Sequence, residues 1–76
     1  MKVELYGAPD CCLCDEAKAV LARVAADVPF ELVLVDIAGD PALTVRFGQE
    51  IPVVFVNGRK AFKYRVDEAE LRRKLS

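Results

Sequence analysis

The chain contains no histidine. A closed tetrahedral zinc site takes four ligands, and the three cysteines here, crowded into four positions, cannot surround an ion by themselves. No apolar run approaches the ~18 residues that a membrane span needs, so no membrane partner is expected. Charge of one sign is missing too: eleven basic residues against twelve acidic ones leave a net charge of −1. That is too balanced for a surface that tracks phosphates. Positive charge does gather at Arg59, Lys60, Lys63, Arg65, Arg72, Arg73 and Lys74, but this spacing reads as a solvated helix face and hairpin rim, and no nucleic-acid partner is expected. Met1-Lys2 leads straight into an apolar strand, without a long hydrophobic leader or a small-residue cleavage site, so a cytoplasmic location is expected. There is no linker, internal repeat or low-complexity segment. The 76 residues therefore read as one domain, 1–76, with any large reaction partner supplied from outside. A monomer is expected.

What is present is apolar. Hydrophobic residues make up 54% of the chain, above the usual ~45–50%. Lys2 to Tyr6 alternates as a strand, and Gly7-Ala8-Pro9-Asp10 breaks it, with Asp10 placed to cap the helix that follows. Leu13, Ala17, Val20, Leu21 and Val24 fall on one helical stripe, which Asp27-Val28-Pro29 ends. Phe30 to Asp36 is almost continuously apolar, the pattern of a parallel strand covered on both faces. Asp40 as cap, Pro41 as first helical residue and Gly48 as stop mark a short helix. Val53 to Val56 and Arg59 to Tyr64 flank Asn57-Gly58, a two-residue hairpin signal. A last helix begins after Asp67, with Glu70 completing a capping box and Val66 placed to staple to Leu71. The order is β-α-β-α-β-β-α, an α/β fold, and right-handed crossovers put the first and last helices on one face of the sheet and the short one on the other.

The chemistry sits at the first strand-to-helix turn, in Cys11-Cys12-Leu13-Cys14. Residues three apart share a helix face, so Cys11 and Cys14 can approach the ~4.4–6.8 Å Cα separation of a disulfide, while Cys12 points away. The opening turn of a helix carries unpaired N–H donors and the positive end of the dipole, which favour a thiolate at Cys11 by ~0.3–1 kcal/mol. The carboxylates of Asp10, Asp15 and Glu16 oppose it, so a reducing couple is expected. Cys14, a turn deeper, is suited to resolve a mixed disulfide. A cluster of this kind, unlike the spread cysteines of a small secreted protein, is catalytic or metal-binding in a reducing compartment.

The element order, the C-x-x-C at the first turn, Tyr6, Pro9, Ile51-Pro52-Val53 and Asn57-Gly58 together resemble the thioredoxin fold in its minimal glutaredoxin-like form, with a four-stranded mixed sheet. The resemblance covers nearly the whole chain. It implies a thiol–disulfide oxidoreductase with Cys11 as nucleophile and Cys14 as resolving thiol. It also implies a cis-proline at Pro52 beside the dithiol, where Ile51, Pro52 and Tyr6 form the substrate-binding side and an extended substrate pairs with the Ile51 backbone. The chain departs from the glutaredoxin pattern at Ala8, at Cys12-Leu13 between the cysteines, and from Ala61 to Asp67. The expected substrate is accordingly a disulfide in a protein or small thiol compound. Glutathione enters only as an electron donor that is not tightly bound, a reductase being the other donor, and no metal or resident cofactor is expected. The alternative function is a metal or iron–sulfur carrier, because three thiolates are soft ligands; a second chain or glutathione would then complete the shell. A third reading keeps the fold as a binding module in which the cysteines serve as small buried hydrophobes.

Overall fold

A computed structural model describes residues 1–75. Strand β1 (Lys2–Gly7) leads into helix α1 (Cys12–Asp27), and strand β2 (Glu31–Asp36) into a 3₁₀ turn (Ile37–Gly39) and helix α2 (Pro41–Phe47). Strands β3 (Val53–Val56) and β4 (Arg59–Lys63) form the hairpin, and helix α3 (Glu68–Leu75) closes the order. The sheet runs β2-β1-β3-β4. β1 is parallel to β2, pairing Leu5 with Leu34, and antiparallel to β3, pairing Tyr6 with Val53. The hairpin turns on Asn57 and Gly58, at φ 52° and 84°, the left-handed pair that a two-residue turn requires.

Because side chains alternate across a strand, the sheet feeds two cores. Val3, Leu5, Val54 and Val56 meet Ala17, Leu21 and Val24 of α1 and Leu71 and Leu75 of α3 on one face. On the other, Val53 joins Ile37 and Phe47, with Tyr6, Leu43, Ile51 and Phe55 packed against them. The helices are thus distributed as the crossover rule requires, and among the described residues no buried side chain is polar or charged.

Two local expectations are corrected. Phe30 to Asp36 is not covered on both faces: β2 is an edge strand, and Leu32 and Leu34 are 38% and 55% exposed. They share the Val3–Leu5 face, but α1 packs over the centre of the sheet and leaves its β2 margin open. Asp10 does not cap α1 either. The cap is Cys11, whose sulfur accepts the Cys14 N–H at 3.1 Å. The other caps stand where expected: the Asp40 carboxylate accepts the N–H groups of Ala42 and Leu43 at 3.0 and 3.2 Å, and that of Asp67 accepts Glu70 N–H at 3.1 Å. α2 ends at Gly48, which keeps a right-handed conformation and donates to the Thr44 carbonyl. The Glu70 carboxylate reaches forward to Arg73, and Val66 packs against the core that contains Leu71.

Candidate functional site

The β1–α1 junction brings two sulfurs into one hydrogen-bonded unit. Cys11 is half-buried, Cys12 exposed and Cys14 wholly buried, and all three are free thiols. The Cys11 sulfur occupies the position an Asp or Ser side chain usually holds over the first turn of a helix. Cys14 hydrogen-bonds to it through the backbone and also through its own side chain. Burial, and next the bond to Cys11, push the Cys14 thiol up to about 11, while the Ala8 N–H and the Lys18 ammonium pull the other way. A buried sulfur has few solvent dipoles to stabilise its charge, so Cys14 keeps its proton.

Gly7 makes room for this arrangement. A Cβ there would lie 2.9 Å from the Cys14 sulfur, inside van der Waals contact, so the last residue of β1 must lack one if α1 is to seat Cys14 against the sheet.

Ile51-Pro52 is a cis peptide. Tyr6 pairs with Val53, so continuing that antiparallel register by one residue sets Gly7, the neighbour of Cys14, opposite Pro52. Pro52 is buried, and its carbonyl accepts the Tyr64 N–H at 2.9 Å, a donor shared with the Glu50 carbonyl at 3.3 Å. Tyr64 holds φ 69°, a region that costs a residue with a Cβ, and the shared N–H ties the proline loop to the end of β4. The Lys60–Glu50 ion pair fastens the same loop.

Tyr6 and Ile51 lie on the α2 side of the sheet, away from the core under Cys14. The Tyr6 ring stacks 5.0 Å from Phe47 and 5.4 Å from Phe55, centroid to centroid, and its hydroxyl donates to Glu4 at 3.5 Å. Burial, reinforced by Glu4, raises its pKa above the ordinary phenol value. The dithiol is therefore a unit of the α1 face, and Tyr6 and Ile51 belong to the aromatic cluster behind it. The sequence marks Gly7 only as part of a strand break and Ala8 only as a departure from the glutaredoxin pattern, and it gives Lys18 no part in the site. Lys18, four residues after Cys14, was accessible from helical spacing, whereas the part played by Gly7 and Ala8 depends on how closely α1 lies against β1.

Among the described residues, no group of three or more His, Cys, Asp or Glu side chains is placed to hold a metal ion. Cys12 faces solvent while Cys14 is sealed in the core, so one chain does not converge three sulfurs on a point. No helix among the described residues is long and apolar enough to cross a membrane.

Residues 2–76 match the glutaredoxin-like domain family (DUF836). An uncharacterised protein of Mycobacterium tuberculosis is 32% identical over 76 residues, spanning 93% of this chain and 78% of its own length. A Nitrosomonas europaea protein solved by solution NMR is 32% identical with a TM-score of 0.83, covering 99% of this chain and 91% of that one. An X-ray structure from X. campestris is 35% identical with a TM-score of 0.72, covering 93% and 91%. A mutant thioredoxin from Halobacterium salinarum, at 20% identity and a TM-score of 0.68 over 97% of this chain and 70% of that one, shares the fold. Over residues 2–76, then, the chain belongs to the glutaredoxin-like domain family.

Proposed function

We propose that this protein is a thiol–disulfide oxidoreductase that reduces disulfides of proteins or small thiol compounds, with Cys11 as nucleophile and Cys14 as resolving thiol. One observation carries the reading: the partly exposed Cys11 sulfur caps α1 by accepting the Cys14 N–H at 3.1 Å, while the Cys14 thiol lies buried one turn deeper. The Cys11 thiolate attacks one sulfur of the substrate disulfide, forming a mixed disulfide and expelling the other as a thiolate. Cys11 then carries no charge, and of the influences holding the proton on Cys14, both the bond to Cys11 and the repulsion from its charge are gone. Desolvation alone remains, opposed by Ala8 and Lys18. Cys14 can now ionise and attack Cys11, which releases the second substrate thiol and leaves a Cys11–Cys14 disulfide. The burial that silences Cys14 beforehand thus orders the two steps.

The substrate approaches on the side of the cis Ile51-Pro52 peptide, where an extended segment pairs with the Ile51 backbone. Two molecules of a small thiol such as glutathione, which leave joined as their own disulfide, or a reductase return the two electrons in the cytoplasm. Glutathione is a transient donor here, since Ala8 stands where a glutaredoxin carries a basic side chain to hold it. The test is a Cys14→Ser, Cys12→Ser variant mixed with a disulfide-containing protein: a stable mixed disulfide through Cys11 is expected by intact-mass measurement. No adduct at Cys11 would overturn the reading.

A further inference from the structure

The two edges of the sheet are not alike. β4 carries exposed Arg59, Lys60 and Lys63, and its register against β3 skips Ala61, with Val54 opposite Phe62 and Phe55 opposite Lys60. Cations and a bulge are what keep an edge strand from pairing with another chain. β2 has neither: its register with β1 is unbroken and its middle is Leu32-Val33-Leu34-Val35. The Glu31 N–H donates to the Met1 carbonyl at 2.8 Å, so Glu31, Val33 and Val35 turn their backbone groups toward β1 while Leu32 and Leu34 turn theirs outward. Among the described residues, no strand pairs with that outer side. The same two leucines present exposed side chains on the margin that α1 leaves open. We infer that β2 is a dimer interface, on which β2 of a second copy of this chain pairs antiparallel about a two-fold axis at Val33.

The occupant follows from the strand itself. Leu32-Val33-Leu34 reads the same in both directions, so the axis sets Leu32 of each copy opposite Leu34 of the other, the self-matching contact that a two-fold interface requires. Both residues have outward backbone groups, and each such pair exchanges both of its N–H···O bonds. The leucines of the two copies share one face of the joined sheet, and Leu32 of the second copy comes to the mouth of the cavity of about 230 Å³ that Leu5, Pro9 and Leu34 line beside α1. Charge agrees with this register. Glu31 faces Val35 and Asp36 faces Phe30, so no carboxylate opposes another. Centring the pair on Leu34 instead brings Asp36 onto Leu32, and centring it on Leu32 sets Leu34 against Phe30, outside the strand. A contact confined to one strand edge is small for a stable complex, so association depends on concentration. β2 and β3 lie on opposite sides of β1, and the dimer therefore leaves the Ile51-Pro52 side of the cysteine site free. This departs from the monomer expected from the sequence, which carries no signal for which strand is an edge.

The test is sedimentation equilibrium of the reduced Cys12→Ser protein, which cannot cross-link through that thiol, from about 10 μM to about 1 mM. A dimer is expected to form as concentration rises, together with concentration-dependent protection of the Leu32 and Leu34 amides from hydrogen exchange. Leu34→Lys places a charge in both leucine pairs and should weaken the dimer at least about tenfold. Val45→Lys, which removes an exposed apolar side chain from α2, should leave it unchanged. A protein that stays monomeric throughout the range would overturn the inference and leave the edge to a chain of different sequence. A dimer that persists in Leu34→Lys, or that forms without added protection at Leu32 and Leu34, would overturn it by placing the interface elsewhere. Should Leu34→Lys fail to fold, the exchange protection of the parent decides alone.

Discussion

Helix α2 begins under a carboxylate and helix α1 under a sulfur. Asp40 accepts two backbone N–H groups, at 3.0 and 3.2 Å, and the arrangement needs nothing more than an ionised oxygen at the right place. Cys11 accepts one, from Cys14 at 3.1 Å, with an atom that is a weak acceptor as a thiol. The stronger cap was available next door in Asp10, yet Asp10 lies outside the helix and exposed. The contrast teaches that a helix start can be given to a weaker acceptor: on the proposed exchange chemistry the first turn of α1 serves a reactive sulfur, while the first turn of α2 serves stability alone. A sulfur in the cap position is held in place by the helix it caps, while the residue stays partly exposed.

The largest effect that separates the two helix starts should come from pH. Cys14 keeps its proton up to about 11 in the folded protein, whereas an unfolded chain releases it near ~8.5. The folded state therefore binds more protons in this window, and stability falls as pH rises. The contribution is fully present below pH ~8.5 and is lost by pH ~11, amounting to about 3 kcal/mol. Denaturant unfolding at stepped pH should show this alkaline loss in the parent and a flatter profile in Cys14→Ala, since no titrating group remains beneath the α1 cap. Equal slopes in both would mean that burial does not hold the Cys14 proton. Nothing comparable lies under α2, where the groups beneath the cap are Ala42 and Leu43.

A smaller effect compares the caps directly. Asp40→Ala strands two donors and should cost about 1–2 kcal/mol of stability. Cys11→Ala strands one and gives up a weaker bond, so its cost should stay below about 1 kcal/mol. Chemical denaturation of the two variants at neutral pH measures the difference. If Cys11→Ala proves the more damaging, the sulfur is a stronger structural cap than its acceptor chemistry allows.

Most of the architecture was legible because each signal was local. Asn57-Gly58 requires a left-handed pair and gives one; Asp40-Pro41 and Asp67 start helices; the Leu13-to-Val24 stripe buries one face of α1. The cysteine spacing likewise fixed which sulfurs could meet, because three residues is nearly one helical turn. What could not be read depended on neighbours distant in sequence. An apolar run such as Leu32 to Val35 is the same whether a helix covers it or stops short. The strand order that makes β2 an edge comes from the crossover, not from its residues. Tyr6 alternates visibly with Leu5, but that its ring would be claimed by Phe47 and Phe55 depends on where α2 lands. Asp10, the expected cap, stands one residue before the sulfur that takes the position, and which of two adjacent side chains turns back over the first helical turn depends on the backbone path, which no periodicity reveals.

The finest distinction is between those two candidates, and it carries the smallest energies. Ser at position 11 keeps a short side chain with a better acceptor, so Cys11→Ser should hold stability within about 0.5 kcal/mol of the parent or raise it slightly, while abolishing exchange with a disulfide substrate. Asp10→Ala removes an exposed carboxylate with no capping bond, and should change stability by less than about 0.5 kcal/mol. Thermal or denaturant unfolding of both variants, beside an exchange assay, separates the outcomes. A loss of about 1 kcal/mol or more in Asp10→Ala would show that the carboxylate shares the cap in solution. Stability unchanged in both, with exchange lost only in Cys11→Ser, is the result expected if α1 gives its opening donors to the reactive sulfur, because the position then tolerates any small acceptor for folding and only a thiol for chemistry.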